Sequence, residues 1–88
     1  MYLHLGKGTV VPEKTIVAIF DLDITSQSHL TRKYLAAAEK RGEVVNAAED
    51  IPKSFLVCAE GGRHTVYLSQ MNAATLLKRS TERLDSSF

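Results

Sequence analysis

The chain has a single cysteine, Cys58, in 88 residues. An intramolecular disulfide is therefore excluded, and a reducing cytoplasmic setting is expected. Long hydrophobic runs are also missing. No run is longer than Ile16 to Phe20, far short of the roughly 20 residues that span a bilayer as a helix, so no membrane partner is expected. The opening Met1-Tyr2-Leu3-His4-Leu5-Gly6 has neither a basic leader nor a long apolar stretch, and no signal peptide is expected. Charge of one sign is not in excess: 11 Lys and Arg against 10 Asp and Glu leave +1, which neither announces nor forbids a nucleic-acid partner. What is present is 44% hydrophobic and 24% charged residues, ordinary for a soluble globular chain and incompatible with wholesale disorder. At this length one domain is expected, over residues 1–85 with 86–88 as a frayed tail, and there is no room for a second core.

The hydrophobic pattern predicts an α+β fold. Met1 to Leu5 and Thr9 to Val11 read as strands joined by a Gly6-Lys7-Gly8 turn, and Pro12, which lacks a donor, ends the ladder. Thr15 to Leu22 is apolar on both faces until Asp21, as in a strand covered on both sides. Ser26 or Ser28 caps a helix running to about Arg41, before Gly42, with the stripe Leu30, Tyr34, Leu35, Ala37 and Ala38. Val44-Val45 reads as a brief strand. Ser54 to Ala59 and His64 to Leu68 form a hairpin through Glu60-Gly61-Gly62-Arg63. Asn72 caps a last helix to about Leu84, with stripe Ala73, Leu76, Leu77 and Leu84. The strands are mostly antiparallel, with a middle and a C-terminal helix. Two strands apolar on both faces are more than a chain this small covers alone, so homo-oligomerisation is expected.

Charge is segmentally polarised. Arg32, Lys33, Lys40 and Arg41 stand against Glu39 alone, and Glu43, Glu49 and Asp50 form an acidic stretch. Lys53, Arg63, Lys78, Arg79 and Arg83 follow, against Glu60, Glu82 and Asp85. A patch rather than a total sets the field that a phosphate feels, although a solvated helix face is the commoner explanation of any one such cluster.

Chemistry-bearing motifs are few. Asp21-Leu22-Asp23-Ile24-Thr25 at a strand end resembles the first motif of haloacid-dehalogenase-type phosphatases, where one Asp attacks phosphorus and the second moves protons. The downstream Lys, the metal-binding carboxylates and the large α/β core of such enzymes are missing, so a strand ending in polar residues is the better reading. Gly6-Lys7-Gly8 is followed by a strand rather than a helix, which argues for a hairpin turn and against a phosphate loop. His4, His29 and His64 lie in separate segments without ligand spacing, and no metal or cofactor is expected. Cys58 sits in an apolar strand and is expected to be buried and inert. Arginines interleaved with aromatics, the mark of single-strand stacking, are missing too.

Six stretches together carry a family resemblance. Met1-Tyr2-Leu3-His4-Leu5-Gly6 with Val10-Val11-Pro12 and Ile16-Val17-Ala18-Ile19-Phe20-Asp21 resembles the opening of the bacterial extracellular-matrix regulator family of RemA and RemB. Pro52-Lys53-Ser54-Phe55-Leu56-Val57, Val66-Tyr67-Leu68-Ser69 and Thr75-Leu76-Leu77-Lys78-Arg79 resemble its RemB branch. The resemblance covers nearly the whole chain, least distinctively in the middle helix. It implies a non-enzymatic, DNA-binding transcriptional regulator of biofilm-matrix genes, assembled as a homo-oligomeric ring whose rim bends or wraps double-stranded DNA. A related regulator as co-assembly partner is compatible with it.

The chain departs from the RemA pattern where an arginine pair precedes the second long strand. Ile51 and Pro52 stand there, with Lys53 the only nearby cation. An Arg grips a phosphate bidentately and a Lys does not. Lys14 partly replaces a basic residue that RemA has at the start of its third strand. The expected DNA contacts are Lys53 first, then Lys7, Lys14 and Arg63 on turns and strand ends, then Arg32, Lys33 and Arg79, with Lys78 and Arg83 on the same final helix. The competing expectation is an oligomeric adaptor for a protein partner that has lost DNA binding with the arginine pair. A phosphotransfer reading instead predicts magnesium-dependent phosphatase activity abolished by Asp21→Asn. No such activity is expected in an assay of the purified protein on a phosphomonoester.

Overall fold

The computed structural model describes residues 2–22 and 28–86, with side chains as far as Ser80. Tyr2–Gly6 (β1) and Thr9–Pro12 (β2) form an antiparallel hairpin, with Pro12 opposite Tyr2 at its open end. Alternation sends Leu3, Leu5 and Val11 inward and leaves Tyr2 and His4 exposed. Gly6 takes φ 124°, and a Cβ placed there would lie 2.8 Å from the carbonyl oxygen of Ala47. Only glycine lets the hairpin bend and lie this close to the rest of the chain.

A 3-10 turn, Glu13–Thr15, leads into Ile16–Asp21 (β3); the Thr15 hydroxyl donates to the Pro12 carbonyl at 2.7 Å. His29–Lys40 (α1) starts at Ser28, whose Oγ accepts from the Thr31 N–H at 3.4 Å. Val44–Asn46 (β4), Ser54–Glu60 (β5) and Arg63–Ser69 (β6) follow. Between β5 and β6, Gly61 and Gly62 both adopt positive φ, 58° and 81°, which matches the right-handed twist of the paired strands. Ala73–Ser86 (α2) closes the chain; Asn72 Oδ1 caps it by accepting from the Thr75 N–H at 2.8 Å.

The second sheet has the order β3-β5-β6-β4, antiparallel except for the β4–β6 pair. Its face made by Leu56, Cys58 and Tyr67 packs against the hairpin residues Leu3, Leu5 and Val11, against Ala47 and against Leu76 of α2. The opposite face, Phe55, Val57, Val66 and Leu68, takes Ala38 and Leu35 of α1. Each fully buried Leu here contributes about 1.5–3 kcal/mol through removal from water. Two serines sit directly opposite each other at one end of the sheet, Ser54 and Ser69, both fully buried. Ser69 Oγ donates to the Leu5 carbonyl at 2.7 Å and accepts from the Met71 N–H at 3.1 Å, while Ser54 Oγ donates to the Met71 carbonyl at 2.7 Å.

Two readings of the sequence need correction. The strand expected to be covered on both sides is an edge strand, and Val17 and Phe20 are 64% and 38% exposed. In the α1 stripe, Leu35 and Ala38 pack inward, but Leu30 is 76% exposed, and Tyr34 and Ala37 are exposed as well. The reason is width. A helix with its side chains is about 10–12 Å across, and the outer strands of a four-stranded sheet lie roughly 14 Å apart. The helix covers the β5, β6 and β4 side and leaves the β3 flank open. The C-terminal helix runs to Ser86, two residues past the expected end near Leu84.

Gly6→Ala is expected to destabilise the fold by about 1–3 kcal/mol through backbone strain and the clash with Ala47. Gly8→Ala, where a Cβ would meet nothing within 4 Å, should cost less. Ser69→Ala, which strands two buried backbone groups, should cost about 1–3 kcal/mol per unsatisfied group. Urea denaturation of the three variants checks the ordering.

Candidate nucleic-acid interface

The four-stranded sheet has two ends, and the topology sorts the expected cations between them. At the serine end, Asp21 pairs with Ser54, the Lys53 N–H donates to the Ser69 carbonyl at 2.8 Å, and the Leu22 N–H donates to the Lys53 carbonyl at 2.9 Å. Lys53 is exposed beside this junction, and its loop also carries Glu49 and Asp50, both exposed. Lys7 reaches the same end from the tip of the first hairpin, because Gly6 lies against Ala47 and Leu5 is bonded to Ser69. Lys7 is the non-glycine residue of that turn held at positive φ, 50°.

At the opposite, glycine-turn end, β3 starts at Ile16 opposite Cys58, so Lys14 in the preceding 3-10 turn lies near the close of the β5–β6 hairpin. Arg63 opens β6 there. Because β4 runs parallel to β6, the C-terminus of α1 arrives at this same end. Arg41 Nε donates to Glu43 Oε1 at 2.9 Å, and the Glu43 carbonyl accepts from the Val66 N–H at 2.8 Å. Arg41, Glu43, Val45, Arg63, His64 and Tyr67 line a cleft of about 560 Å³.

The remaining expected contacts lie on the two helices, Arg79 toward the serine end, where the serine pair holds the backbone of Met71. Arg32 and Lys33 are exposed on α1, and Arg79 is exposed on α2 with its Nη1 3.7 Å from Met71 Sδ. The structure thus brings Lys7 to the end of Lys53 and Lys14 to the end of Arg63, and it does not gather all seven residues. Among the described residues, Lys7, Lys14, Lys53, Arg63, Arg32 and Lys33 form no ion pair. Their ammonium and guanidinium groups are open to an external anion at no cost in broken salt bridges. Sequence reasoning counts Arg41 in a basic cluster that could face phosphates but leaves it, and His64, out of the expected contacts. Arg41 reads as a helix-end cation and His64 as a strand-edge residue, and only the parallel β4–β6 pairing puts them on one cleft.

The other chemical readings can be placed as well. Asp21 closes β3 and Leu22 follows it, whereas Asp23, Ile24 and Thr25 lie outside the described residues. No group of three or more His, Cys, Asp or Glu capable of holding a metal ion occurs among the described residues. No helix among them is long and apolar enough to cross a membrane. Cys58 is buried on β5; burial pushes its thiol above the ordinary thiol range, and a hydrogen bond with Thr15 partly opposes the shift. The Tyr67 phenol is pushed up for the same first reason, reinforced by Cys58 and Glu60. An apolar groove of about 360 Å³ runs between β3 and α1, walled by Val17, Phe20, Leu30 and Tyr34. At its floor Phe20 stacks on Phe55 with ring centroids 4.8 Å apart.

The profile of the RemA-like family, described as extracellular matrix regulatory protein A-like, matches residues 2–79. The chain is also 32% identical over 80 residues to the extracellular matrix regulatory protein B of Bacillus subtilis (strain 168), covering 91% of this chain and 90% of that protein.

A buried thiol with a raised pKa is a poor nucleophile. Cys58 in the native protein should therefore react with a thiol reagent at neutral pH only as fast as the fold opens, and at once in denaturant. The neutral thiol also sets a sign for stability. Its folded pKa exceeds its unfolded one, so its contribution is complete below the pKa of an unfolded thiol and is lost as pH rises through the alkaline range. Urea midpoints of wild type should fall more steeply with alkaline pH than those of Cys58→Ala.

Proposed function

The chain belongs to the RemA-like family of extracellular matrix regulatory proteins, and from that premise we propose that it is a non-enzymatic, DNA-binding transcriptional regulator. It acts in the cytoplasm on matrix genes, as a homo-oligomeric ring that grips the duplex backbone through cations repeated from subunit to subunit. The observation that carries this reading is the family match over residues 2–79, which runs through every described strand.

Two features of the fold support it. The first is the state of the cations. Lys7, Lys14, Lys53 and Arg63 stand on turns and strand ends, exposed and without an ion pair among the described residues. Contacts of this kind are made to phosphates and carry little base readout. One subunit offers few of them, but a ring multiplies the number of phosphates met, and salt-dependent affinity grows with that number. The second is the open flank of β3. An edge strand beside an apolar groove walled by Val17, Phe20, Leu30 and Tyr34 presents both unpaired backbone and unburied hydrophobic surface. A second copy seated there would complete the sheet layer that one helix is too narrow to cover.

The Ile51-Pro52 departure makes the grip weaker per subunit, since Ile51 is 77% exposed and carries no charge. Lys53 then works as a point charge near Glu49 and Asp50. These acids are what an adaptor that has left DNA behind would tolerate, and they define the competing outcome of the test.

Sedimentation velocity of the protein with a labelled duplex of several helical turns, at low and at physiological salt, tests the proposal. A large homo-oligomer is expected to co-sediment with DNA and to release it as salt rises. Lys53→Glu and Lys14→Glu should each weaken binding several-fold in an intact oligomer. Val17→Glu, at an exposed position, should dissociate the oligomer without lowering monomer stability. An oligomer that ignores DNA at low salt would overturn DNA binding in favour of the protein adaptor, and a monomer at every concentration would overturn the ring.

A further inference from the structure

The cleft at the glycine-turn end sets beside Arg63 two residues, Arg41 and His64, that the backbone-gripping role leaves unexplained. Its volume of about 560 Å³ falls within the roughly 300–1,000 Å³ range of small-molecule sites. Its cations come from two distant elements: Arg41 from the C-terminus of α1 and Arg63 from the start of β6. Arg41 is already oriented, because Glu43 takes its Nε at 2.9 Å and leaves both terminal NH2 groups free. Arg63 has no ion pair among the described residues.

The strand edge adds a third donor. In β6 the Val66 N–H points toward the β4 side, where the Glu43 carbonyl accepts it at 2.8 Å. Alternation along the strand turns the His64 N–H to the same side. There β4 does not pair with it, since the β4–β6 register begins at Val44 opposite Val66. Arg41, Arg63 and His64, two guanidinium-bearing residues and one whose backbone N–H β4 leaves unpaired, thus line one cleft. Such an arrangement suits the oxygens of a tetrahedral phosphate better than the two coplanar oxygens of a carboxylate. Tyr67 and Val45 supply an apolar wall beside it.

We propose that this cleft binds a small phosphate-bearing ligand of mononucleotide size, its phosphate held by Arg41, Arg63 and the His64 backbone N–H and its organic part against Tyr67 and Val45. The carboxylates of Glu43 in the cleft and Glu60 in the adjoining cavity favour a discrete ligand over a duplex, whose many phosphates would meet them as well. This site shares Arg63 with the proposed backbone contacts and lies away from Lys53 and Lys7, at the other end of the sheet.

Isothermal titration of the full-length protein with AMP, adenosine and inorganic phosphate tests it. AMP should bind saturably, inorganic phosphate should compete with it, and adenosine should not bind. Arg41→Gln, at a half-exposed side chain, should weaken AMP at least tenfold with an unchanged melting midpoint. If that variant fails to fold, Arg63→Gln supplies the same reading. No binding of AMP or phosphate at millimolar concentration would overturn the proposal, as would AMP binding indifferent to both substitutions. If a duplex displaces AMP and Arg41→Gln weakens both, the phosphate held here belongs to the DNA backbone, and the small-ligand assignment falls while the regulator reading stands. AMP binding that a saturating duplex leaves intact supports the separate site and removes Arg63 from the DNA contacts, and loss of DNA binding alone in the sedimentation experiment would leave the site standing.

Discussion

The serine pair at one end of the sheet is the joint on which the rest of the fold depends. Ser54 and Ser69 face each other across β5 and β6, fully buried, and between them they hold the Leu5 carbonyl and both backbone groups of Met71. The first hairpin and the C-terminal helix are thereby fastened to the same point of the central sheet. Buried hydroxyls are tolerated because every bond is made: no buried side-chain nitrogen or oxygen lacks a partner among the described residues. Apolar residues at these positions would still bury surface. They would not dictate that β1 lies across β6 or where α2 begins, which hydrogen-bond geometry does.

Small size is the second constraint, and it shapes the surface. One face of the sheet receives a hairpin and a helix, and among the described elements the other receives α1. A single 12-residue helix leaves the β3 flank uncovered, with Val17, Phe20 and Leu30 in solvent. Exposed apolar residues are common one by one, but here they line a continuous groove beside an unpaired strand edge. The sequence pattern and the open flank lead to the same inference of self-assembly from different starting points, one from strands apolar on both faces and the other from the area a helix can cover.

The elements were legible because their local signals agree. Alternating apolar residues, Ser28 and Asn72 as caps, Gly61-Gly62 as a turn and Pro52 before β5 each act within a few residues, and all appear where the pattern places them. The cations were less legible. Lys53, Lys7, Lys14 and Arg63 are evident as turn or strand-end residues, but nothing local says that they divide between opposite ends of a sheet. Arg41 and His64 carry no signal of a shared cleft, since what joins them is the parallel pairing of Val44 with Val66 across 22 positions of chain. The stripe of α1 misled in part: period alone marks a face as apolar and cannot say whether a partner is wide enough to cover all of it.

The sequence by itself determined the α+β class, the hairpins, the helix starts, the burial of Cys58 and the resemblance to a regulator family. These follow from side-chain period, capping and turn chemistry, and the order of residues along the chain. Tertiary structure decided which strand became an edge, which buried hydroxyls tie the hairpin to the sheet, and which cations share an end. Each of those rests on contacts between residues far apart in the chain, where strand order and register set the distances and local propensity has no say.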